Sequence, residues 1–90
     1  MTFFITNMKL EEYKIRIINS KLVLINIYSS SDVMVFEGIS KIIISKLINC
    51  ETIDKIIEEI SLKYKKNYKD VERDVYSFVE ELKYLGIYNE

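Results

Sequence analysis

The hydrophobic period of this 90-residue chain changes once, at Phe36, and that change limits the folds open to it. Before Phe36 the apolar residues come in short runs rich in β-branched side chains: KIRII over 14–18, LVLINIY over 22–28 and VMVF over 33–36. Runs of this kind, bounded by turn formers, read as strands. Asn19 and Ser20 suit a tight turn after the first run, and SSSD over 29–32 breaks the chain after the second. Side chains alternate across a strand, so Val23, Ile25 and Ile27 share one face of the second, while Val33 and Val35 share one face of the third. Three consecutive strands with short connections predict an antiparallel meander that leaves the third strand at an edge.

After Phe36 the period is helical. Ile39, Ile43 and Leu47, flanked by Ile42, Ile44 and Ile48, predict a first helix ending near Asn49. Thr52 suits the N-cap of a second helix, with Glu51 and Asp54 near the positive end of its dipole and Ile53, Ile56, Ile57, Ile60 and Tyr64 as its apolar stripe. KKNYK over 65–69 breaks that helix. Asn67 can cap a third, and Asp70, three residues on, resembles the acidic half of a capping box. Val71, Val75, Phe78, Leu82 and Leu85 form the third stripe, and Gly86 suits a left-handed stop. The expected fold is α+β and winged-helix-like: a three-stranded antiparallel β-meander followed by three α-helices. It occupies residues 14–88 as one domain behind a short N-terminal extension, 1–13.

Composition offers little for catalysis. The chain has no histidine, the commonest general base and metal ligand. Cys50 has no imidazole to activate it and stands in an expected turn beside Glu51, whose charge disfavours a thiolate; it reads as a partly buried small residue. Gly38 and Gly86 stand alone, so no phosphate-cradling loop is present. Glu58–Glu59 and Glu80–Glu81 are adjacent pairs that point about 100° apart on a helix, so each reads as solvated surface. The expectation is a chain with no catalytic residue, no cofactor and no metal. No apolar run approaches the roughly 18 residues of a membrane span. The start, MTFFITNMKLEEY, lacks the basic region and cleavage site of a signal peptide. With a single cysteine the chain suits a reducing cytoplasm, and its wealth of Ile, Lys and Asn, encoded by A/T-rich codons, suggests a bacterial genome of low G+C content.

Winged helices often bind DNA, yet the formal net charge here is −1. Between Tyr68 and Leu85 the third helix carries five acids and three bases, which opposes phosphate contact. KYKK over 63–66 is a basic cluster that reads as a loop of solvated lysines before a phosphate anchor. Neither nucleic acid nor membrane is an expected partner, and a winged-helix DNA-binding regulator is kept as the alternative.

The order of elements and the closing segment resemble the family of the pyrroloquinoline quinone synthesis protein D (PqqD-like), also called the RiPP recognition element, RiPPs being ribosomally made and post-translationally modified peptides. The family pattern runs from an LN pair through IW..L and a DG turn to T..EI, then closes with DV..FL..L...GL. Phe36 and Glu37 stand at the LN pair, and Ile43, Ile44 and Leu47 at IW..L. Ile48 and Asn49 replace the DG turn, Asn being the usual substitute at a left-handed position. Thr52 and Ile56 match T..EI, while Asp74, Val75, Phe78, Val79, Leu82, Gly86 and Ile87 match the closing helix. The missing tryptophan and DG set the chain apart from the quinone-pathway members.

The resemblance implies a non-catalytic peptide chaperone that binds the leader segment of a precursor peptide. The leader would add as a strand beside strand three and place apolar side chains against helix three. Partners implied are the precursor peptide and a RiPP-modifying enzyme such as a radical SAM protein or a leader peptidase. The site expected from it comprises Val33, Met34, Val35 and Phe36 on the strand, with Asp74, Val75, Phe78, Val79 and Leu82 on the helix. Asp74 stands at the margin of the stripe, either holding the leader or tying helix to strand. An edge strand is independently a template for strand addition and for pairing with a second copy, so a homodimer at high concentration is also expected. A structural subunit with one fixed protein partner is a third reading.

Overall fold

A computed structural model of the protein describes residues 10–29 and 31–88. The element order is β1 (Tyr13–Ile18), β2 (Lys21–Asn26), β3 (Val33–Phe36), α1 (Ile39–Ile48), α2 (Ile53–Tyr64) and α3 (Tyr68–Tyr84). The strands form one antiparallel sheet in the order β1-β2-β3, so the expected meander followed by three helices is the observed fold.

Asn19 and Ser20 both have positive φ (51° and 65°), the geometry of a two-residue hairpin turn whose twist matches its strands. That turn sets Ile18 opposite Lys21 and hence the whole β1–β2 register. β2 stops at Asn26, before the apolar run ends. The Asn26 side-chain oxygen accepts from the backbone N–H groups of Tyr28 and Ser29, at 2.8 and 3.1 Å, and turns the chain.

The register sets Leu22 opposite Phe36 and Leu24 opposite Met34, so these four share the sheet face that meets the helices. Leu22, Leu24 and Phe36 are buried there with Ile43, Ile44, Leu47, Ile56, Ile57, Ile60, Val71, Val75, Val79 and Leu82. Each such side chain contributes about 1.5–3 kcal/mol by leaving water. Val23, Ile25, Val33 and Val35 occupy the opposite face. Ile39, Tyr64 and Leu85, assigned by spacing to the helical stripes, remain exposed at the ends of their helices.

The helix ends obey local chemistry. Thr52 Oγ1 accepts from the Lys55 N–H at 3.2 Å, and Asn67 Oδ1 from the Lys69 N–H at 2.8 Å, as N-caps should. The capping box at Asp70 is not closed: its carboxylate accepts from Arg73 at 3.1 Å, one turn further on. α3 ends in a Schellman motif, with Gly86 at φ 79°, Ile87 N–H donating to Leu82 O and Gly86 N–H to Lys83 O. α1 ends the same way, but its left-handed residue is Cys50 (φ 65°) and not Asn49 (φ −81°). The bonds Glu51 N–H to Lys46 O and Cys50 N–H to Leu47 O place that position one residue later than the sequence suggested, and Cys50 is exposed rather than partly buried. Of the expected extension over 1–13, residues 1–9 lie outside the described residues, while Leu10 and Tyr13 pack against the core. Among the described residues no helix is long and apolar enough to cross a membrane.

Candidate functional site

In an antiparallel ladder one residue directs its N–H and C=O to one neighbouring strand, and the next residue directs them to the other. Two bonds at the end of β2 reveal which is which. Ile27 N–H donates to Glu12 O at 2.8 Å on the β1 side, and Asn26 N–H donates to Asp32 O at 3.1 Å on the β3 side. Counting back by twos, Leu24 and Leu22 bond toward β3, and their partners are Met34 and Phe36. Val33 and Val35 therefore direct their N–H and C=O groups away from β2, to an edge that no strand covers among the described residues.

Beside that edge lies a cleft of about 190 Å³ between β3 and the second half of α3. Five of the residues expected from the sequence line it together: Met34, Val35 and Phe36 from the strand, Phe78 and Leu82 from the helix. The Phe36 and Phe78 rings meet edge to face, 5.9 Å between centroids, and fix the spacing of strand and helix. Val33 continues the same edge with its side chain on the outer sheet face. Val75 and Val79 are buried in the core, each 1% exposed, and neither lines this cleft. Asp74 does not line the cleft; it borders a separate hollow of about 140 Å³ with Ile39, Lys66, Val71 and Val75.

Two further residues line the cleft, Glu81 and Leu85. Their signal was present in the spacing: 78, 81, 82 and 85 fall at i, i+3, i+4 and i+7, one face of a helix. Leu85 was read as core, but it is 48% exposed and forms the open end of the cleft. Among the described residues the lining side chains are thus apolar apart from one carboxylate, that of Glu81. Among the described residues there is no cluster able to hold a metal ion.

A second polar feature lies outside the cleft. Glu59, read from the sequence as solvated surface, meets Glu51 and Lys46 where α1 turns into α2. Lys46 Nζ donates to Glu59 Oε2 at 2.8 Å and stands 3.6 Å from Glu51 Oε2. The other oxygen of each carboxylate is sealed from solvent without a donor of its own among the described residues. The hydrogen bond to Glu59, then burial, raise the Glu51 pKa above the ordinary carboxylate value, whereas the bonds from Glu51 and Lys46 lower that of Glu59. The Glu59 hydrogen bond raises the Lys46 pKa. The cluster joins two helices structurally and is remote in sequence from the cleft.

The fold is similar to a solved structure described as TbiB1 in complex with the TbiA(beta) leader peptide. The TM-score is 0.80 at 18% sequence identity, over 92% of this chain and 94% of that one, a likeness of fold. No family model matches the chain, and no curated protein does.

Proposed function

We propose that the protein is a non-catalytic recognition module of the RiPP recognition element type. It binds the leader segment of a precursor peptide as an added strand on β3, seats the leader's apolar side chains against α3, and delivers the peptide to a separate modifying enzyme or leader peptidase. The observation that carries this reading is the conjunction of an open ladder edge at Val33 and Val35 with an apolar cleft beside it. Main-chain groups supply affinity in such an arrangement, and alternate side-chain pockets supply specificity. The likeness to TbiB1, solved with a leader peptide, supports the same reading. The nucleic-acid alternative gains nothing from α3, which carries five carboxylates against three cations.

One added strand and a few pockets make a small interface, so the expected affinity is on the order of 1 μM, about −8 kcal/mol. The test is fluorescence anisotropy with a labelled leader peptide from the same gene cluster. Val35→Pro removes a donor that faces the open edge, so binding should fall severely while circular dichroism stays that of the wild type. A folded Val35→Pro protein that binds the leader like wild type would sink the edge-strand mechanism.

A further inference from the structure

We infer that the groove beside β3 selects peptides carrying a lysine or arginine next to their apolar anchors, the cation being received by Glu81, Glu11 and Glu12. The inference rests on the leader-binding reading and adds a charge requirement to it. Leu85, at the open end of the apolar cleft, also borders a second hollow of about 430 Å³ lined by Glu11, Glu12, Tyr13 and Gly86. The two hollows thus share a wall, and among the described residues their linings contain three acidic residues and no lysine or arginine.

Three other carboxylates of α3 show what these lack, though Asp74 has no ion pair among the described residues either. Asp70 is paired with Arg73, Glu72 with Lys69 and Glu80 with Lys83, each one turn apart. Glu81, Glu11 and Glu12 have no ion-pair partner among the described residues. Glu81 stands in the groove beside the open edge of β3, and Glu11 and Glu12 lie beyond Leu85 on the β1 side, so a long cation brought by the ligand meets Glu81 first and extends past Leu85 toward the other two. In an added strand, side chains on the helix-facing side recur about every 7 Å. When one fills the cleft at Phe78 and Leu82, a neighbouring inward side chain reaches toward Leu85. A lysine or arginine there covers Leu85 with its methylene stem and holds its charged head out to the carboxylates. An acidic residue at that place is repelled.

The test pans a displayed library of random peptides on the wild-type protein and on the triple variant Glu11→Gln, Glu12→Gln, Glu81→Gln, its fold checked by circular dichroism. Wild type should enrich peptides with alternating apolar residues and an adjoining lysine or arginine. The triple variant should keep the apolar pattern and lose the cation. Replacing that cation by glutamine in an enriched peptide should weaken binding about two- to fivefold at low salt, and by less as salt rises. Peptides enriched without a basic residue, or equally on both proteins, overturn the charge requirement and leave strand addition standing. Failure to enrich any peptide, or enriched peptides that bind Val35→Pro as they bind wild type, overturn the leader-binding reading and the inference with it.

Discussion

Met34 and Val35 are neighbours on a four-residue strand, yet proline at each has an opposite expected outcome, because their N–H groups leave the strand on opposite sides. Met34→Pro breaks a ladder bond to Leu24 and leaves a buried acceptor unpaired, so it should cost roughly 2 kcal/mol or more in a urea melt, where Val35→Pro costs little. The sequence establishes that the two differ but not which faces the edge. Parity depends on where the β2–β3 turn closes, and Asn26 closes it earlier than the apolar run LVLINIY suggests. Cys50 is another residue whose role is backbone geometry. At φ 65° in the α1 stop, with its thiol only 3.9 Å from Ile48 O, it should be replaced by glycine with a gain of about 1 kcal/mol in stability. Glu51 has a pH signature. Its folded-state pKa is raised, so its favourable contribution is complete below the unfolded value of about 4.3 and is lost as pH rises through the folded value. Glu59, lowered, contributes in the opposite sense, above its unfolded value, and loses that contribution as pH falls. Glu51→Gln removes only the first titration and can donate an N–H to Glu59. The variant should match wild type in denaturant midpoint near pH 3.5 and exceed it at pH 7, and equal midpoints at both pH values would exclude a proton held on Glu51.

α3 has two duties along one face, and its residues divide between them. Val71, Val75 and Val79 close the core, Leu82 does so and also lines the cleft, and Phe78, Glu81 and Leu85 border the cleft. Leu82→Ala should cost about 2–5 kcal/mol, since Leu82 is completely buried. Leu85→Ala, at a side chain 48% exposed, should cost well under about 1 kcal/mol in stability while weakening leader binding several-fold, so thermal melts and anisotropy together separate the duties. What was legible here was what is local: the caps at Thr52 and Asn67, the stop at Gly86 and the 3.6-residue stripe all follow from neighbours in the chain. The division of the stripe into core and cleft was not, because it depends on how far the short strand β3 extends beneath the helix. For the same reason Asp74, marginal to the stripe, borders a hollow among α1, α2 and α3 with Ile39 and Lys66 and does not line the cleft. The meeting of Glu51 with Glu59 was hidden likewise, by a turn that brings separate segments together.

At the scale of the whole molecule the element order, the meander and the helical half were all readable, because the change of period at Phe36 separates sheet from helices and short connections leave one topology. That topology leaves β3 at an edge with Val33 and Val35 exposed, 44% and 55%, on the outer face as well. Such an edge accepts any strand, including its own copy, and little on it opposes pairing: β3 itself carries neither charge nor proline. Two molecules joined antiparallel through β3 would make a six-stranded sheet about a two-fold axis, an isologous contact that closes. The shared ladder is only as long as β3, so the dimer should be weak, on the order of 100 μM to 1 mM, and should compete with the leader for the same N–H and C=O groups. Sedimentation equilibrium should show a weight-average mass that rises with concentration for wild type and stays monomeric for Val35→Pro. Adding leader peptide should shift wild type toward a one-to-one complex. A wild-type protein that stays monomeric throughout the millimolar range shows that the edge resists self-pairing; a dimer unaffected by both Val35→Pro and leader shows that association uses another surface.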